Sequence, residues 1–537
     1  MDTELTNQID ALFRKWNHPD SPGCAVGILR DGKFEYEKYF GQANLEWDVP
    51  ICQDTRFLIA SVSKQFTAAA IHLLAEQGSL TLDDEIQHHL PEFPRYESPV
   101  TIRHLIHHTS GIREQGVLWL MCAKSLCELD NPTLLKLLAR QQRLNFYPGS
   151  AVAYSNSGYT LLAEIIRRTS GVSYAQFLQE NIFNPLGMSS TVVDEDSSNV
   201  IKHRASSYSP QLDGSYSQYA KVYNMVGADG VLTTLHDLAL WDENFYKPGI
   251  GGPHFLENML KKGTLNNGQE IHFASGLSHA RYRGLEIIRH GGMMLGFRAQ
   301  IIRFPSEHFS VIILANINPF NPTRLIEQIA DLCLSDKLTE PIEALNMGQN
   351  LSEEEIKDQL GSYYDMESGS AYRLFMRGGM LWLEAMGNAL PIAPLVGKPF
   401  LGNDVYYRSF DGPPLTFDVH LTRQTGMPYR LSIQAEMHAL PVGVQANPGG
   451  LEDDNLDAFA GNYYSPELDV TYRFHRMKGG LAGGIEGGLS GDLQPGPGRV
   501  YFLNDTQIKF ETDGKGKAIG MMLTSARARQ IHFERFG

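Results

Sequence analysis

The chain has 537 residues, of which 42% are hydrophobic and 20% are charged. This composition is typical of a globular protein and excludes a largely disordered chain, a collagen-like fibre and a disulfide-stabilised miniprotein. The formal net charge of -15, from 46 basic and 61 acidic residues, argues against nucleic acid as a partner, because such binding depends on cationic side chains that neutralise phosphates. At roughly 150 residues per domain, the length predicts several domains.

The sequence shows no sign of export, membrane insertion or metal binding. No run of about 18 apolar residues predicts a membrane-spanning helix, and the acidic start at 1–5 does not resemble a secretory signal. The five cysteines lack CxxC spacing, which favours reduced thiols over disulfides or a zinc site. We therefore expect a cytoplasmic protein with no metal, cofactor or membrane partner. A mature periplasmic chain is the less favoured alternative.

The first 335 or so residues mix strand and helix patterns, which predicts an α+β domain. Strands are predicted at both ends of this region and helices between them. The predicted elements are a hairpin over 23–39 around Asp31-Gly32, a helix over 63–77 ending at Gly78, a helix over 159–169 ending before Gly171, and a strand pair over 298–315 joined through Pro305-Ser306.

The remaining 190 or so residues alternate in short runs and contain an internal repeat. The sequence Gly-Ser-Tyr-Tyr at 361–364 recurs as Gly-Asn-Tyr-Tyr at 461–464, and Tyr372-Arg373 recurs as Tyr472-Arg473. This spacing favours two tandem copies of a small antiparallel β domain over two unrelated β segments. The predicted domains are 1–336, a linker at 337–350, a first β domain at 351–447 and a second at 448–537.

The first of three short motifs is Ser61-Val62-Ser63-Lys64, at the start of the helix predicted over 63–77. Ser61 and Lys64 are three residues apart, so on a helix the ammonium can reach the hydroxyl. A serine hydroxyl becomes a strong nucleophile only when a neighbouring group accepts its proton. By itself the pattern is not specific, because a surface serine and lysine on a helix share it.

The second motif is Tyr154-Ser155-Asn156, which precedes the helix predicted over 159–169. A tyrosine can act as a general base where a nearby ammonium lowers its pKa, and an asparagine can hold a substrate amide. A turn that contains a buried tyrosine is the structural alternative.

The third motif is His290-Gly291-Gly292, followed by Met293 and by the strand pair over 298–315. Two glycines allow a strand backbone to approach a ligand closely. A lone histidine is more often structural than catalytic, but the glycines favour a functional site here.

Together and in this order, the motifs resemble those of the penicillin-recognising serine hydrolases, which include class C β-lactamases, D-alanyl-D-alanine peptidases and related esterases. The SxxK, Tyr-x-Asn and Lys/His-x-Gly elements of that family match residues 61–64, 154–156 and 290–292. Supporting matches lie at 105–111, 148–149, 184–188 and 227–230. The resemblance implies a β-lactamase/transpeptidase-like catalytic domain, in which an antiparallel sheet packs with a helical cluster.

A narrower resemblance is to the bacterial D-aminopeptidase branch of this family. A histidine opens the third motif, and two small β domains follow the catalytic region, as in that branch. Residues 61–67 and 461–469 also match it. The resemblance implies that the tail forms two small antiparallel β-barrel (lipocalin-like) domains, and it suggests a homodimer.

The resemblance also implies roles for the motif residues in acyl transfer. Ser61 forms a covalent ester with the substrate, and Lys64 and Tyr154 share the proton transfers, with either as the general base. Asn156 holds the acyl-side carbonyl, and His290 orients Tyr154 or binds the leaving group. The substrate-binding set further includes Gly291, Gly292 and Met293, and the backbone amides of Ser61 and Met293 form the oxyanion hole.

A glycine-rich loop over 478–498 holds nine glycines in 21 positions. Such a loop can enter a neighbouring cleft, although a barrel loop without a role is the alternative. In the D-aminopeptidase relatives a loop of the last barrel restricts the cleft to substrates with a free amino terminus. Asp492 is the favoured partner for a substrate ammonium here, and Glu486 is the other candidate.

We therefore predict a D-stereospecific aminopeptidase-like serine hydrolase acting on a small peptide, amide or ester. An esterase, a β-lactamase or a D-alanyl-D-alanine carboxypeptidase on the same site is the alternative, and β-lactams could be substrates or only inhibitors. The complete set of motifs argues against a binding protein that has lost catalysis.

Overall fold

The computed structural model describes residues 1–211, 213–340, 346–347, 352–385, 388–396, 405–409, 417–424, 427–435, 442–446, 456–478, 480–497, 500–504 and 506–536. Most of the predicted linker at 337–350 lies outside the described residues, as do two positions of the glycine-rich loop over 478–498. No helix among the described residues is long and apolar enough to cross a membrane.

The chain divides into two compact units. The first comprises Met1–Gly111, Leu126–Leu135 and Phe146–Ile342. The second comprises Ile112–Ser125, Lys136–Asn145 and Glu343–Gly537. Two short segments within 1–336 therefore group with the C-terminal residues.

Helices belong mainly to the first unit. The described residues form α1 (Thr3–Phe13), α2 (Lys64–Glu76), α3 (Ile86–His89), α4 (Ile102–Ile106), α5 (Gln115–Met121), α6 (Asn131–Ala139), α7 (Asn156–Ser170), α8 (Tyr174–Leu178), α9 (Asn184–Leu186), α10 (Leu235–Glu243), α11 (Phe255–Leu260), α12 (Pro322–Cys333) and α13 (Glu353–Ile356).

The strands of the first unit lie mostly near its two sequence ends. They are β1 (Cys24–Arg30), β2 (Lys33–Phe40), β3 (Gln42–Asn44), β4 (Val49–Pro50), β5 (Phe57–Leu58), β6 (Val192–Val193), β7 (Ser207–Pro210), β8 (Tyr216–Tyr219), β9 (Val231–Thr233), β10 (Ser278–Tyr282), β11 (Leu285–Met294), β12 (Phe297–Phe304) and β13 (Phe309–Ala315).

The elements predicted for this unit are present. The hairpin of β1 and β2 turns at Asp31 and Gly32, whose φ angles of 51° and 74° are the positive values that a tight turn of this kind requires. The predicted helices correspond to α2 and α7, and left-handed glycines follow both, Gly78 at φ 72° and Gly171 at φ 77°. Strands β12 and β13 form the predicted pair.

One antiparallel sheet, in the order β10-β11-β12-β13-β1-β2, organises the first unit. Pairing of β1 with β13 joins the two ends of the unit. Ile9 of α1 and Ile326 of α12 pack in one core cluster with Val311 of β13. On the other face, Leu235 of α10 lies against Gly27 of β1. Both faces are therefore covered, which explains why β12 and β13 are buried at every position.

The second unit contains two larger antiparallel sheets. The strands of the first are β14 (Asn346–Met347), β15 (Gly361–Asp365), β16 (Ser370–Arg377), β17 (Met380–Ala385), β18 (Asn388–Val396), β19 (Val405–Ser409), β20 (Phe417–Thr422), β21 (Arg430–Ala435) and β22 (Gly443–Gln445). Their order is β14-β18-β17-β16-β15-β22-β21-β20-β19, and a further pairing of β18 with β19 closes the sheet on itself. Closure removes the free edges that an open sheet exposes.

The last sheet also has nine antiparallel strands, but no pairing between described residues closes it on itself. Its strands are β23 (Gly461–Ser465), β24 (Val470–Met477), β25 (Gly480–Gly484), β26 (Ser490–Asp492), β27 (Gln494–Pro495), β28 (Tyr501–Leu503), β29 (Thr506–Thr512), β30 (Ala518–Ser525) and β31 (Ala528–Phe536). Their order is β26-β25-β24-β23-β31-β30-β29-β28-β27.

The repeat found in the sequence has a matching structure in both sheets. Tyr363 lies opposite Tyr372 in the first, and Tyr463 lies opposite Tyr472 in the last. The Tyr363 hydroxyl donates to the carbonyl of the residue four positions earlier at 2.5 Å, and the Tyr463 hydroxyl does the same at 2.7 Å. The repeated tyrosines therefore have the same structural role in both sheets. Tyr363 and Tyr463 each lie opposite a second tyrosine in a hairpin, and the hydroxyl of each is hydrogen-bonded although its side chain is buried.

The two short segments of the second unit are held by its last sheet. Arg113, fully buried, forms an ion pair with Glu467, donates to Gln141 Oε1 at 2.7 Å and donates to the carbonyl of Gln530 at 3.0 Å. Tyr472 donates its hydroxyl to the carbonyl of Met121 at 3.0 Å. Gln141 Nε2 also donates to the carbonyl of Glu467 at 3.0 Å. Residues of the last sheet and of the turn between β23 and β24 therefore contact the segments over 112–125 and 136–145.

Candidate active site

Ser61 lies in a short 3-10 turn that leads directly into α2. The turn comprises Ala60–Ser63, and α2 begins at Lys64. Ala60 has a φ of 47°, a left-handed conformation that costs energy for a residue with a Cβ atom. The residue before the candidate nucleophile is thus held in a strained conformation by its surroundings.

Lys64 brings two of the sequence motifs together. Its Nζ lies 3.0 Å from Ser61 Oγ and 2.8 Å from Asn156 Oδ1, and it donates to the backbone carbonyl of Ala228 at 2.9 Å. The lysine is fully buried. A buried ammonium is costly unless it is hydrogen-bonded, and these oxygen acceptors supply that compensation.

Tyr154 lies beside the same ammonium. Lys64 Nζ is 4.9 Å from the centre of the Tyr154 ring, and Asn156 begins α7 two residues later. Ser155 caps this helix by accepting from the amide of Gly158 at 3.2 Å. The cap fixes where the helix starts, and so places Tyr154 before the helix and Asn156 on its first turn.

His108 supports Tyr154 from the other side. The two ring centres are 4.4 Å apart, and His108 Nδ1 accepts from the amide of Ser155 at 3.1 Å. In the sequence, the stretch over 105–111 is a supporting match to the family, and no local pattern gives His108 a role. The pair of histidines in that stretch was the available signal, but nothing local indicated which one would meet Tyr154.

The third motif forms the end of β11, beside the Ser61 turn. His290 is fully buried, its Nδ1 lies 2.7 Å from the carbonyl oxygen of Gly291, and its ring centre is 6.2 Å from that of Tyr154. A Cβ atom added to Gly292 would lie 2.0 Å from the carbonyl oxygen of Ile59. Glycine is therefore required at 292 for the strand to lie this close to the turn, whereas Met293 is 49% exposed.

The loop over 227–230 supplies the carbonyl of Ala228. Gly227 and Gly230 flank it with φ angles of 96° and 107°, which favour glycine. Between them, burial raises the pKa of Asp229, which accepts from the Tyr223 hydroxyl and from the amide of Gly230. The role of this carbonyl could not be predicted from the sequence, because a backbone carbonyl group is common to every residue.

Asp492 and Glu486 belong to the second unit. Asp492 ends β26 opposite Ala482, and Glu486 lies in the turn between β25 and β26. Both side chains are exposed. Gly488, in the same turn, packs closely against Ala123 of the segment over 112–125. Among the described residues, no cluster of three or more histidine, cysteine, aspartate or glutamate side chains could hold a metal ion.

The chain is similar in sequence to known proteins. A penicillin-binding protein of Bacillus subtilis (strain 168) is 31% identical over 323 residues, which cover 57% of this chain and 71% of that protein. A D-aminopeptidase of Cereibacter sphaeroides is 27% identical over 499 residues, which cover 89% of this chain and 87% of that protein.

Solved structures show a likeness of fold. The octameric penicillin-binding protein homologue from Pyrococcus abyssi has a TM-score of 0.58 at 22% identity, covering 82% of this chain and 100% of that chain. The D-amino acid amidase from Ochrobactrum anthropi SV3 has a TM-score of 0.52 at 20% identity, covering 62% of this chain and 98% of that chain. Residues 9–334 match the family model described as Beta-lactamase. Because this match spans more than half of the chain and contains all three motifs, the chain belongs to the β-lactamase family of serine hydrolases.

Proposed function

We propose that this chain releases N-terminal D-amino acids from short peptides, amides or esters through an acyl-enzyme on Ser61. The observation that carries the proposal is the position of Lys64, whose Nζ contacts the Ser61 hydroxyl and Asn156 together. A serine within hydrogen-bond reach of a proton-transferring group is the arrangement that nucleophilic catalysis needs.

In the proposed reaction, Ser61 Oγ attacks the carbonyl carbon of the substrate's first residue while its proton passes to the Lys64 and Tyr154 pair. The amide bond then breaks, and the leaving amine takes a proton from the same pair. Water hydrolyses the ester, releasing the amino acid and restoring the Ser61 hydroxyl. Lys64 acts as the base in its neutral form, or Tyr154 acts as the base as a phenolate.

We assign the remaining motif residues the roles that the family resemblance implies. Asn156 holds the acyl-side carbonyl, and the backbone amides of Ser61 and Met293 bind the oxyanion, a contribution of about 2.7–4 kcal/mol per donor in other hydrolases. His290 orients Tyr154 across their 6.2 Å ring separation. Gly291 and Gly292 let the strand approach the substrate.

Selectivity for D-amino acids is supported by the D-aminopeptidase relative, whose match extends over 89% of this chain and so includes much of the second unit. We propose that the two sheets of that unit are small lipocalin-like barrels, which the closing pair of β18 with β19 favours for the first of them. The similarity to a penicillin-binding protein favours a second candidate, an enzyme that binds or hydrolyses β-lactams on the same serine.

A substrate panel separates these functions. The panel contains D-alanine p-nitroanilide, L-alanine p-nitroanilide, a p-nitrophenyl ester and nitrocefin, each assayed with the wild type and with Ser61→Ala. We expect the D-anilide to have the highest kcat/KM and Ser61→Ala to be inactive and unlabelled by a fluorophosphonate. Preference for the L-anilide or for nitrocefin would reject the aminopeptidase assignment, and an active Ser61→Ala variant would reject the nucleophile.

The recognition of a free amino terminus by Asp492 stays a prediction from the family resemblance, with Glu486 as the other candidate. Asp492→Asn tests it through the ratio of kcat/KM for D-alanine p-nitroanilide and its N-acetyl derivative. We expect the preference for the free amine to fall by about tenfold or more, since a charged partner is lost. Asp513→Asn, at another exposed aspartate, is the matched control.

A further inference from the structure

A second cavity lies in the first unit, away from the three motifs. Its volume is about 260 Å³, and it is bordered by the second half of α2, by α4 and by residues near the end of α11. Ligand pockets for drug-sized molecules are usually about 300–1,000 Å³. The cavity lies just below this range and therefore suits a molecule smaller than most drugs.

The lining carries charges of both signs on facing helices. His72 and Glu76 are one turn apart on α2, while Arg103 on α4 is one turn from His107, which caps that helix. Lys261, which follows α11, adds a second cation. One carboxylate and two cations thus border the same small space.

Both charged heads on the helices are held in place by other contacts. Arg103 donates from Nε and Nη2 to the carboxylate of Asp83 at 2.8 and 2.9 Å, and its Nη1 takes no part in that pair. Glu76 Oε2 accepts from the amide of Gly252 at 2.6 Å, which leaves its other oxygen outside that bond. A ligand would meet groups that are already oriented, which reduces the entropy lost on binding.

The inner wall is polar but neutral near pH 7. His72 Nε2 lies 2.8 Å from Ser275 Oγ, and His107 hydrogen-bonds the backbone of Lys261. Burial, reinforced by the nearby Arg103, lowers the pKa of both histidines to about 4. The cations that face a ligand at neutral pH are therefore Arg103 and Lys261.

We propose that this cavity binds a small zwitterion, a free amino acid, with its carboxylate at Arg103 and Lys261 and its ammonium at Glu76. A simple anion would leave Glu76 facing it with like charge, and a simple cation would face Arg103 and Lys261. A zwitterion satisfies both signs at once.

Two residues of the cavity lining are next in sequence to residues that contact the candidate active site. His107 precedes His108, whose ring centre lies 4.4 Å from that of Tyr154. Ser275 precedes Gly276, where an added Cβ atom would lie 2.6 Å from the Lys64 carbonyl carbon. Bound amino acid therefore contacts residues adjacent to those that hold Tyr154 and Lys64. The proposed binding site does not depend on the function proposed above. Only the statement that the bound amino acid is also a product of the enzyme rests on that function.

Calorimetric titration of D-alanine into the folded Ser61→Ala variant tests the site without turnover. We expect saturable binding that becomes at least about tenfold weaker in Glu76→Gln and in Lys261→Gln, because each change removes a charged partner of the ligand. Lys262→Gln, next in sequence and paired with Glu270, is the matched control and should bind like the parent. Acetate and methylamine should each bind at least about tenfold more weakly than D-alanine.

Several results would overturn the inference. They are no binding of D-alanine to the Ser61→Ala parent, unchanged affinity after Glu76→Gln and Lys261→Gln are added to it, and acetate binding as tightly as D-alanine. Loss of binding when Asn156→Ala is added would also overturn it, because the ligand would then lie beside position 61. Glycine and L-alanine are titrated as well, and their binding supports an amino acid site without stereochemical choice. Failure of the D-anilide assay with intact D-alanine binding would reject the proposed function and leave the cavity site standing.

Discussion

The Nζ atom of Lys64 and the Oγ atom of Ser61 are separated by 3.0 Å, across one turn that changes from 3-10 to α-helix between them. The lysine is fully buried, and its Nζ atom also donates to oxygen atoms of Asn156 and Ala228. An ammonium held in this way is positioned to exchange a proton with the serine and has little freedom to leave it.

Replacing Lys64 with methionine removes the proton-transferring group while nearly keeping the side-chain volume. We expect kcat/KM for D-alanine p-nitroanilide to fall roughly 10²–10⁴-fold, the range typical of lost acid–base catalysis. Steady-state kinetics measure the loss, and thermal unfolding checks that the variant is folded. Lys247→Met, at an exposed lysine, serves as control. A rate near that of the wild type in Lys64→Met would remove Lys64 from the mechanism.

Two neighbouring glycines of β11 should differ in their tolerance of alanine. A Cβ atom at Gly292 would meet the Ile59 carbonyl at 2.0 Å, while one at Gly291 would meet the end of the Gln300 side chain at 2.4 Å. Backbone cannot move aside as a flexible side chain can. We expect Gly292→Ala to lose at least about tenfold more kcat/KM than Gly291→Ala, as measured on the same anilide. Equal losses would show that β11 does not constrain the Ser61 turn.

Glu467 should contribute strongly to the stability of the second unit. Its side chain is 12% exposed and pairs with Arg113, which is fully buried. Glu467→Gln removes the negative charge from this buried ion pair, so we expect a loss of about 3–5 kcal/mol in the free energy of unfolding.

Asp469→Asn is the matched control for this change, because Asp469 pairs with Arg140 where both side chains are about half exposed. Exposed pairs contribute roughly 0–1 kcal/mol. Urea denaturation of the full chain measures both variants. A Glu467→Gln variant as stable as Asp469→Asn would contradict the structural role given to the buried pair.

The two buried histidines of the second cavity predict a pH dependence of stability. Their pKa values of about 4 lie below the ordinary 6.5 of the unfolded chain. Between pH 6.5 and 4 the unfolded chain therefore binds more protons than the folded one, and the free energy of unfolding falls as the pH falls. The loss approaches roughly 3 kcal/mol per histidine near pH 4.

Denaturant titrations at several pH values between 7 and 4.5 measure this slope. We expect His72→Gln to reduce it, because one of the two histidines no longer takes up a proton on unfolding. His88→Gln, at an exposed histidine, should keep the wild-type slope. An unchanged slope in His72→Gln would mean that His72 is not kept neutral by burial.

Local patterns predicted much of this molecule correctly. The α2 and α7 helices, the hairpin at Asp31-Gly32 and the duplicated tyrosine hairpins all depend on residues close in sequence, and such periodicities can be read directly. Glycines at helix ends and in tight turns correctly predicted where several helices and strands end, because they too act on residues close in sequence.

Other features depended on contacts between distant parts of the chain. The grouping of 112–125 and 136–145 with the last sheet rests on pairs such as Arg113 and Glu467, which are 354 residues apart. Nothing in the helical or polar pattern of those segments indicates their partner. The roles of His108 and of the Ala228 carbonyl could not be predicted either. Each depends on contact with a residue of another element, Tyr154 for His108 and Lys64 for the Ala228 carbonyl.

By itself, the sequence determined which reactive groups this protein carries, their order along the chain and the duplicated β plan of its tail, since motif spacing and periodicity are local properties. Tertiary structure decided which oxygen atoms surround the Lys64 ammonium, which segments pack with the last sheet and where charges of both signs border a second cavity. These features depend on long-range packing. Each such contact forms between residues that are far apart in the sequence, so the residues next to it in the chain do not determine it.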